Sequence, residues 1–77
     1  MNRGGLNTLL ESMGYAAGFV GAGPAEDHWT VGQGQHGRWV AFFTERGGRF
    51  DEADFDDEES ACFFVLGRLV FPFLGAI

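Results

Sequence analysis

The chain has 77 residues and a formal charge of -6, with eleven acidic residues, five arginines and no lysine. A chain of this size forms one small domain, residues 1–77, that buries roughly 60–65% of its surface, which excludes a second lobe and leaves little room for an enclosed pocket. The acidic balance excludes direct binding to nucleic acid, because neutralising phosphates requires a basic patch.

The sequence contains no sign of export or membrane insertion. Cys62 is the only cysteine, so no internal disulfide is expected and nothing indicates an oxidising compartment. Residues 1–5 are followed by too little apolar sequence for a signal peptide. As a helix, residues 61–77 would span roughly 25 Å, short of the ~30 Å hydrocarbon core, and Arg68 and Pro72 interrupt them. We therefore expect a soluble, cytoplasmic protein with no membrane partner.

The first predicted element is an amphipathic helix of about ten residues. Its apolar positions recur at i, i+3, i+4 and i+7 and are Leu6, Leu9, Leu10 and Met13. Gly14 follows in the position that suits a left-handed C-cap. Residues 15–24 are rich in Gly and Ala and are predicted to be a loop or a brief strand.

Three strands are predicted next. Residues 28–31 are β-branched and aromatic on a two-residue period, and a glycine-rich loop over residues 32–37 separates them from a second strand, residues 38–44. Gly47 and Gly48 favour a type I′ turn into a third, acidic strand. The pattern predicts an antiparallel meander.

The last predicted element is a second helix. Asp56 or Asp57 is the expected N-cap, with Glu59 completing an Asp-x-x-Glu variant of the capping box, and Pro72 is expected to end the helix. Its core-facing residues are predicted to be Cys62, Val65, Leu66 and Leu69. Because Phe63, Phe64 and Val70 lie outside that set, the helix is apolar nearly all round.

This order of elements predicts an α+β fold: a three-stranded antiparallel meander with an N-terminal and a C-terminal helix packed on one face. The opposite face of the sheet is expected to stay open. The strand at residues 38–44 is apolar on both faces, so the chain has more aromatic surface than one small core absorbs. That excess indicates a protein interface or a homodimer.

No enzyme and no cofactor are predicted. Gly32-x-Gly34-x-x-Gly37 matches the letters of the dinucleotide-binding motif, but a strand follows it where that motif requires a helix. Cys62 lies on the buried side of its helix, where a thiol behaves as a small hydrophobic group. The carboxylates of residues 51–59 are expected to be exposed, whereas general acid catalysis requires a shielded carboxyl group.

A metal site is a weaker alternative. His28 and His36 could approach one another across their hairpin, with Asp27 nearby, and three such groups can in principle hold zinc. Their spacing matches no recognised ligand pattern, so ordinary surface histidines are favoured and no metal is predicted.

Two segments of the chain resemble small immunity proteins of bacterial polymorphic-toxin systems. Residues 39–47, WVAFFTERG, are similar to the family's W-x-V-Y-Y-S-E-R-G pattern, and residues 55–62, FDDEESAC, are similar to its F-x-x-E-x-E-A-C pattern. The likeness covers about half of the chain, and the leucine-rich first helix agrees in position. The chain departs from the pattern at Ala41–Thr44, which replace the more usual Tyr and Ser, and at Ser60, which replaces an acid.

The resemblance implies a cytoplasmic protein that is not an enzyme and that neutralises a cognate toxin protein by occluding its active site or locking its conformation. The toxin is expected to present a basic surface to the acidic run, with aromatic and arginine side chains as anchors. The predicted partner-binding residues are Trp39, Phe43, Glu45, Arg46, Asp51, Glu52, Asp54, Asp56 and Asp57. The alternative is a homodimeric structural or accessory module that self-associates through residues 71–74.

Overall fold

A computed structural model shows an α+β fold with two helices and a four-stranded mixed sheet. The structure describes the backbone of residues 1–75 and the side chains of residues 1–71. Along the sheet the strand order is β1-β2-β3-β4. The elements are α1 (Arg3–Ser12), β1 (Val20–Gly21), β2 (His28–Gln33), a 3₁₀ turn (Gln35–Gly37), β3 (Trp39–Glu45), β4 (Gly48–Phe55) and α2 (Glu58–Gly75).

The predicted meander matches only part of the sheet. Strands β2, β3 and β4 pair antiparallel in sequence order, as expected. The fourth strand, β1, has two residues and pairs parallel to β2, with Val20 beside Trp29. β1 lies within residues 15–24, which were predicted to be either a loop or a brief strand. The sequence could not decide between the two, because two residues are too few to show the period of a strand.

The side chain of Asn7 closes the outer edge of β1. Its amide nitrogen donates to the carbonyl oxygen of Val20 at 2.8 Å, and its carbonyl oxygen accepts from the N–H of Val20 at 3.0 Å. One side chain therefore supplies both hydrogen bonds that a neighbouring strand would give to this residue. Helix α1 is thereby fixed against the sheet edge.

The core lies between the helices and one face of the sheet, which we call the inner face. Its buried residues come from every layer and are Leu6, Leu10, Val20, Trp29, Val31, Ala41, Ala61, Cys62 and Val65. Of the predicted apolar positions of α1, Leu6 and Leu10 are buried, whereas Leu9 and Met13 are exposed. The predicted burial of Cys62 and Val65 on α2 is confirmed.

The expectation that the other face of the sheet stays open is wrong for β2 and β3. Thr30, Phe42 and Thr44 point away from the core cluster yet are only 2%, 2% and 7% exposed. The hydroxyl oxygens of both threonines are buried and find no hydrogen-bond partner among the described residues. This outer face is therefore a second, smaller buried layer.

Two groups cover the outer face. Residues 22–24 pass over β2 so closely that a Cβ on Gly32 would lie 2.5 Å from the carbonyl oxygen of Ala22. On the other side the guanidinium carbon of Arg49 lies 4.2 Å from the centre of the Phe42 ring, a cation–π contact. The sequence could not show this cover, because it depends on how a loop with no periodicity folds back.

Of the predictions for helix α2, the N-cap is confirmed, whereas the capping box and the C-terminal end are wrong. Asp57 is the N-cap, since its Oδ1 accepts from the N–H of Ser60 at 2.7 Å. Glu59 takes no part in a capping box and instead bonds the Met1 ammonium group at 2.9 Å. Pro72 does not end the helix, which continues to Gly75. The fixed φ of proline is compatible with a helix, at the cost of one hydrogen bond and of crowding at the carbonyl group of Arg68.

The two helices are joined where they begin. Glu58 of α2 accepts from the N–H of Arg3, one of the unpaired donors in the first turn of α1, at 2.8 Å. The guanidinium group of Arg3 in turn donates to the carbonyl oxygen of Val31 at 2.8 Å. Carboxylates thus separate two positive helix ends that would otherwise repel. Within the described residues, neither helix is long and apolar enough to cross a bilayer.

Candidate protein-binding surface

Strand β4 forms one edge of the sheet and carries, with the residues that flank it, most of the predicted partner-binding acids. All six of these acidic residues are exposed. We call this surface the acidic edge: Glu45, Asp51, Glu52, Asp54, Asp56 and Asp57.

A tight turn begins the acidic edge. Its two central residues are Arg46 and Gly47, with φ angles of 52° and 75°, so the predicted pair Gly47-Gly48 was wrong by one residue. A positive φ is unfavourable for arginine. The carboxylate of Glu26 offsets that cost, because it accepts from the backbone N–H groups of both Arg46 and Gly47. Glu45 and Arg46 are therefore presented side by side at the tip of the β3–β4 hairpin.

A bulge interrupts β4 in the middle of the acidic edge. The register shifts by one residue between Ala41 and Phe43, so Asp51 and Glu52 together oppose Phe42. Asp51 takes a positive φ of 53°, which aspartate tolerates better than most residues. Bulges bend a strand and redirect its side chains. No feature of the sequence marked this position.

Arginines hold three of the carboxylates in place. Arg38 donates to Asp54 at 2.7 Å and to Asp56 at 2.6 Å, and Arg49 donates to Glu52 at 3.1 Å. The hydrogen bond to Asp54 is the main reason that the pKa of Arg38 is raised. All these groups are largely exposed, so the pairs contribute little to stability. Their main effect is to order the acidic side chains.

The acidic edge keeps a net negative charge after these pairings. Arg38 and Arg49 pair with three of the six carboxylates, and Arg46 lies in the adjoining turn, so six negative charges stand beside three positive ones. Asp57 remains ionised to unusually low pH, since the hydrogen bond from the backbone of Ser60 lowers its pKa. The surface therefore presents a fixed array of negative charge at neutral pH.

The two predicted aromatic anchors lie on the inner face. Trp39 and Phe43 are half-buried and pack against the core, with the Phe43 ring centroid 5.8 Å from that of Trp29. Phe43 is thus a structural residue in large part. Trp39 borders a groove of about 580 Å³ that Arg38 and Asp54 also line, but Asp54 pairs with Val40 and so lies on the outer face, opposite to the face on which Trp39 packs.

An exposed aromatic surface on α2 was not among the predicted site residues. Phe63 and Phe71 are 51% and 71% exposed and line a groove of about 380 Å³ with Gly67. Arg68 covers part of it, with its guanidinium carbon 4.8 Å from the centre of the Phe64 ring. The all-round apolar pattern of the helix was the signal that could have located it. Residues 72–74 of the predicted self-association segment lie outside the described side chains.

The residues considered as metal ligands or as a catalytic thiol, namely His28, His36 and Cys62, do not form a cluster. His28 is the first residue of β2 and His36 lies in the turn beyond its other end, about 20 Å away for a strand of this length, so the approach that a metal site would require does not occur. The Nδ1 atom of His28 lies 2.6 Å from the carbonyl oxygen of Glu26. Among the described residues no group of three potential metal ligands forms. Burial raises the pKa of the Cys62 thiol.

No protein-family model, no curated protein sequence and no solved structure matches this chain. The resemblance to small immunity proteins therefore rests on residues 39–47 and 55–62 alone. The chemistry of the surface carries the inference about function.

Proposed function

We propose that this protein is an immunity-type inhibitor that binds a cognate bacterial toxin domain through the acidic edge, and that it neutralises the toxin by occluding its active site or locking its conformation. The observation that carries the proposal is the net negative, ordered surface of the acidic edge. A basic toxin surface is its electrostatic complement, and such pairs associate fast and reject wrong partners.

The arrangement of the acidic edge favours binding over simple solubility. Carboxylates that are already ordered by Arg38 and Arg49 lose less side-chain entropy on binding than free ones do. Trp39 borders the groove that Asp54 lines, and the exposed part of its half-buried side chain offers an aromatic anchor of the kind that dominates interfaces. Enzymes that act on polyanions require basic surfaces, so a toxin with such a substrate fits best.

The first test changes Glu45 to lysine. Glu45 is exposed and takes part in no ion pair within the described part of the chain, so the change leaves the fold intact. We expect Glu45→Lys to weaken binding to the cognate toxin domain, which the resemblance implies is encoded directly before this protein, by about tenfold or more, equivalent to about 1.4 kcal/mol. Isothermal titration calorimetry measures the affinity, and growth of cells co-expressing the toxin measures protection.

The matched control is Glu11→Lys, which makes the same charge change at an exposed position of α1. We expect it to bind the toxin domain as the unchanged protein does. Equal loss in both variants would assign the effect to total charge, and unchanged binding by Glu45→Lys would remove the acidic edge from the interface. Truncating Trp39 is a poorer test because its ring also packs against the core.

A second candidate function, a homodimeric accessory module, is favoured by the exposed aromatic surface of α2. Phe63 and Phe71 flank Gly67 at equal spacing, so two copies of α2 packed antiparallel about Gly67 would place Phe63 of each beside Phe71 of the other. This function predicts a dimer at low micromolar concentration that Phe71→Glu dissociates. Sedimentation equilibrium checks it, and a monomer of 8.4 kDa at that concentration contradicts it.

A further inference from the structure

Strand β4 has an unpaired hydrogen-bonding edge. It is eight residues long, Gly48–Phe55, lies last in the strand order and pairs with β3 on one side only. Across the described residues, no backbone hydrogen bond from a turn or loop reaches its other side. Every second residue of such a strand directs its N–H and C=O groups outward, where they can pair with another chain.

The two edges of the sheet are treated differently. At the β1 edge, the strand is two residues long and Asn7 occupies both hydrogen-bonding groups of Val20. At the β4 edge, three of the eight residues are exposed acids, and within the described part of the chain no backbone hydrogen bond from a turn or loop covers the strand. Hydrogen bonds from Asn7 thus close the β1 edge, whereas at the β4 edge charged side chains oppose pairing with an unsuitable strand.

Charge determines which strand such an edge accepts. β4 carries three acids, Asp51, Glu52 and Asp54, and one basic residue, Arg49, so pairing of two β4 strands would bring together two strands of net negative charge, which is unfavourable. A strand that carries Lys or Arg would meet opposite charges instead. Phe50 is exposed beside the bulge and offers an apolar contact for the residues that alternate with the Lys or Arg residues of such a strand.

From these observations we propose that β4 receives an extended basic segment of the partner, in which Lys or Arg alternates with apolar residues, as an additional strand of the sheet. This inference rests on the proposed function and specifies how the toxin is held. Backbone hydrogen bonds would supply affinity, and the carboxylates would supply selectivity. The bulge at Asp51 shortens the regular part of the edge, so a short segment fits better than a long one.

The test uses a fluorescein-labelled peptide as long as β4, with alternating lysine and valine. We expect it to bind, to slow amide hydrogen exchange in β4, and to lose about tenfold or more in affinity when its central backbone amides are N-methylated. N-methylation keeps the charge and side chains but removes the donors. Fluorescence anisotropy measures the affinity, and NMR locates the protected amides.

Two variants test the charge requirement on the protein. Asp51→Asn removes the charge and keeps a residue that tolerates the positive φ at this position, and it is expected to bind the lysine–valine peptide about threefold or more weaker, whereas Glu11→Gln binds it unchanged. Equal affinity for the N-methylated peptide would show attraction without strand addition and overturn the proposal, as would absence of binding. Protection of β4 that rises with protein concentration without peptide would assign the edge to a second copy and also overturn it.

The outcomes separate this inference from the proposed function. If toxin binding falls in Glu45→Lys but peptide binding is insensitive to N-methylation, the inhibitor assignment stands and strand addition is rejected. If N-methylation weakens peptide binding but the toxin domain does not bind, strand addition at β4 stands and the inhibitor assignment is rejected.

Discussion

Replacing Gly32 with alanine is expected to destabilise the protein by about 3 kcal/mol, at the upper end of the usual cost of overpacking. The added Cβ would lie 2.5 Å from the carbonyl oxygen of Ala22, a backbone atom that moves only if residues 22–24 move with it. Those residues cover Thr30 and Phe42 on the outer face, so their displacement would expose both. A domain of this size is stabilised by only about 3–5 kcal/mol, so most of the fold's stability is at stake.

Gly34→Ala is the matched control for this change. A Cβ on Gly34 would lie 3.8 Å from its nearest neighbour, the carbonyl oxygen of Arg38, and the φ of Gly34 is -95°, which alanine adopts freely. Urea denaturation should therefore show a large loss of stability for Gly32→Ala and almost none for Gly34→Ala. Similar stability in the two variants would mean that residues 22–24 do not pack tightly against β2.

The sequence predicted some parts of this fold and could not predict others. Periodicity located both helices, the paired strands and the burial of Cys62, because each depends on near neighbours along the chain. Both faces of β3 are apolar, so the pattern could not determine which face the helices cover. Strand β1 and the outer cover depend on residues 15–24 folding back, which leaves no periodic trace.

The candidate site divides in the same way. The acids of the acidic edge and the hairpin turn follow from composition and glycine placement, and the sequence located them to within one residue. The pairing of Arg38 with Asp54 and Asp56 joins residues far apart in sequence and required the β3–β4 register to be known. The bulge at Asp51 carries no glycine, which is the residue that would have marked it.

Replacing Asn7 with alanine is expected to cost about 2–3 kcal/mol, because two hydrogen bonds are lost and the N–H and C=O groups of Val20 are left unpaired. Val20 is almost fully buried, so water does not readily replace the lost amide. The better helix propensity of alanine offsets only about 0.7 kcal/mol of that cost. Urea denaturation measures the loss, and amide exchange at Val20 should become faster.

Thr8→Ala on the neighbouring, exposed turn of α1 is the control. Its hydroxyl bonds only the carbonyl oxygen of Gly4 within the same helix, at 3.1 Å, so its removal should be nearly neutral. If Asn7→Ala proved as stable as Thr8→Ala, packing alone would hold the β1 edge in place. The proposed contrast between a closed β1 edge and an available β4 edge would then be wrong.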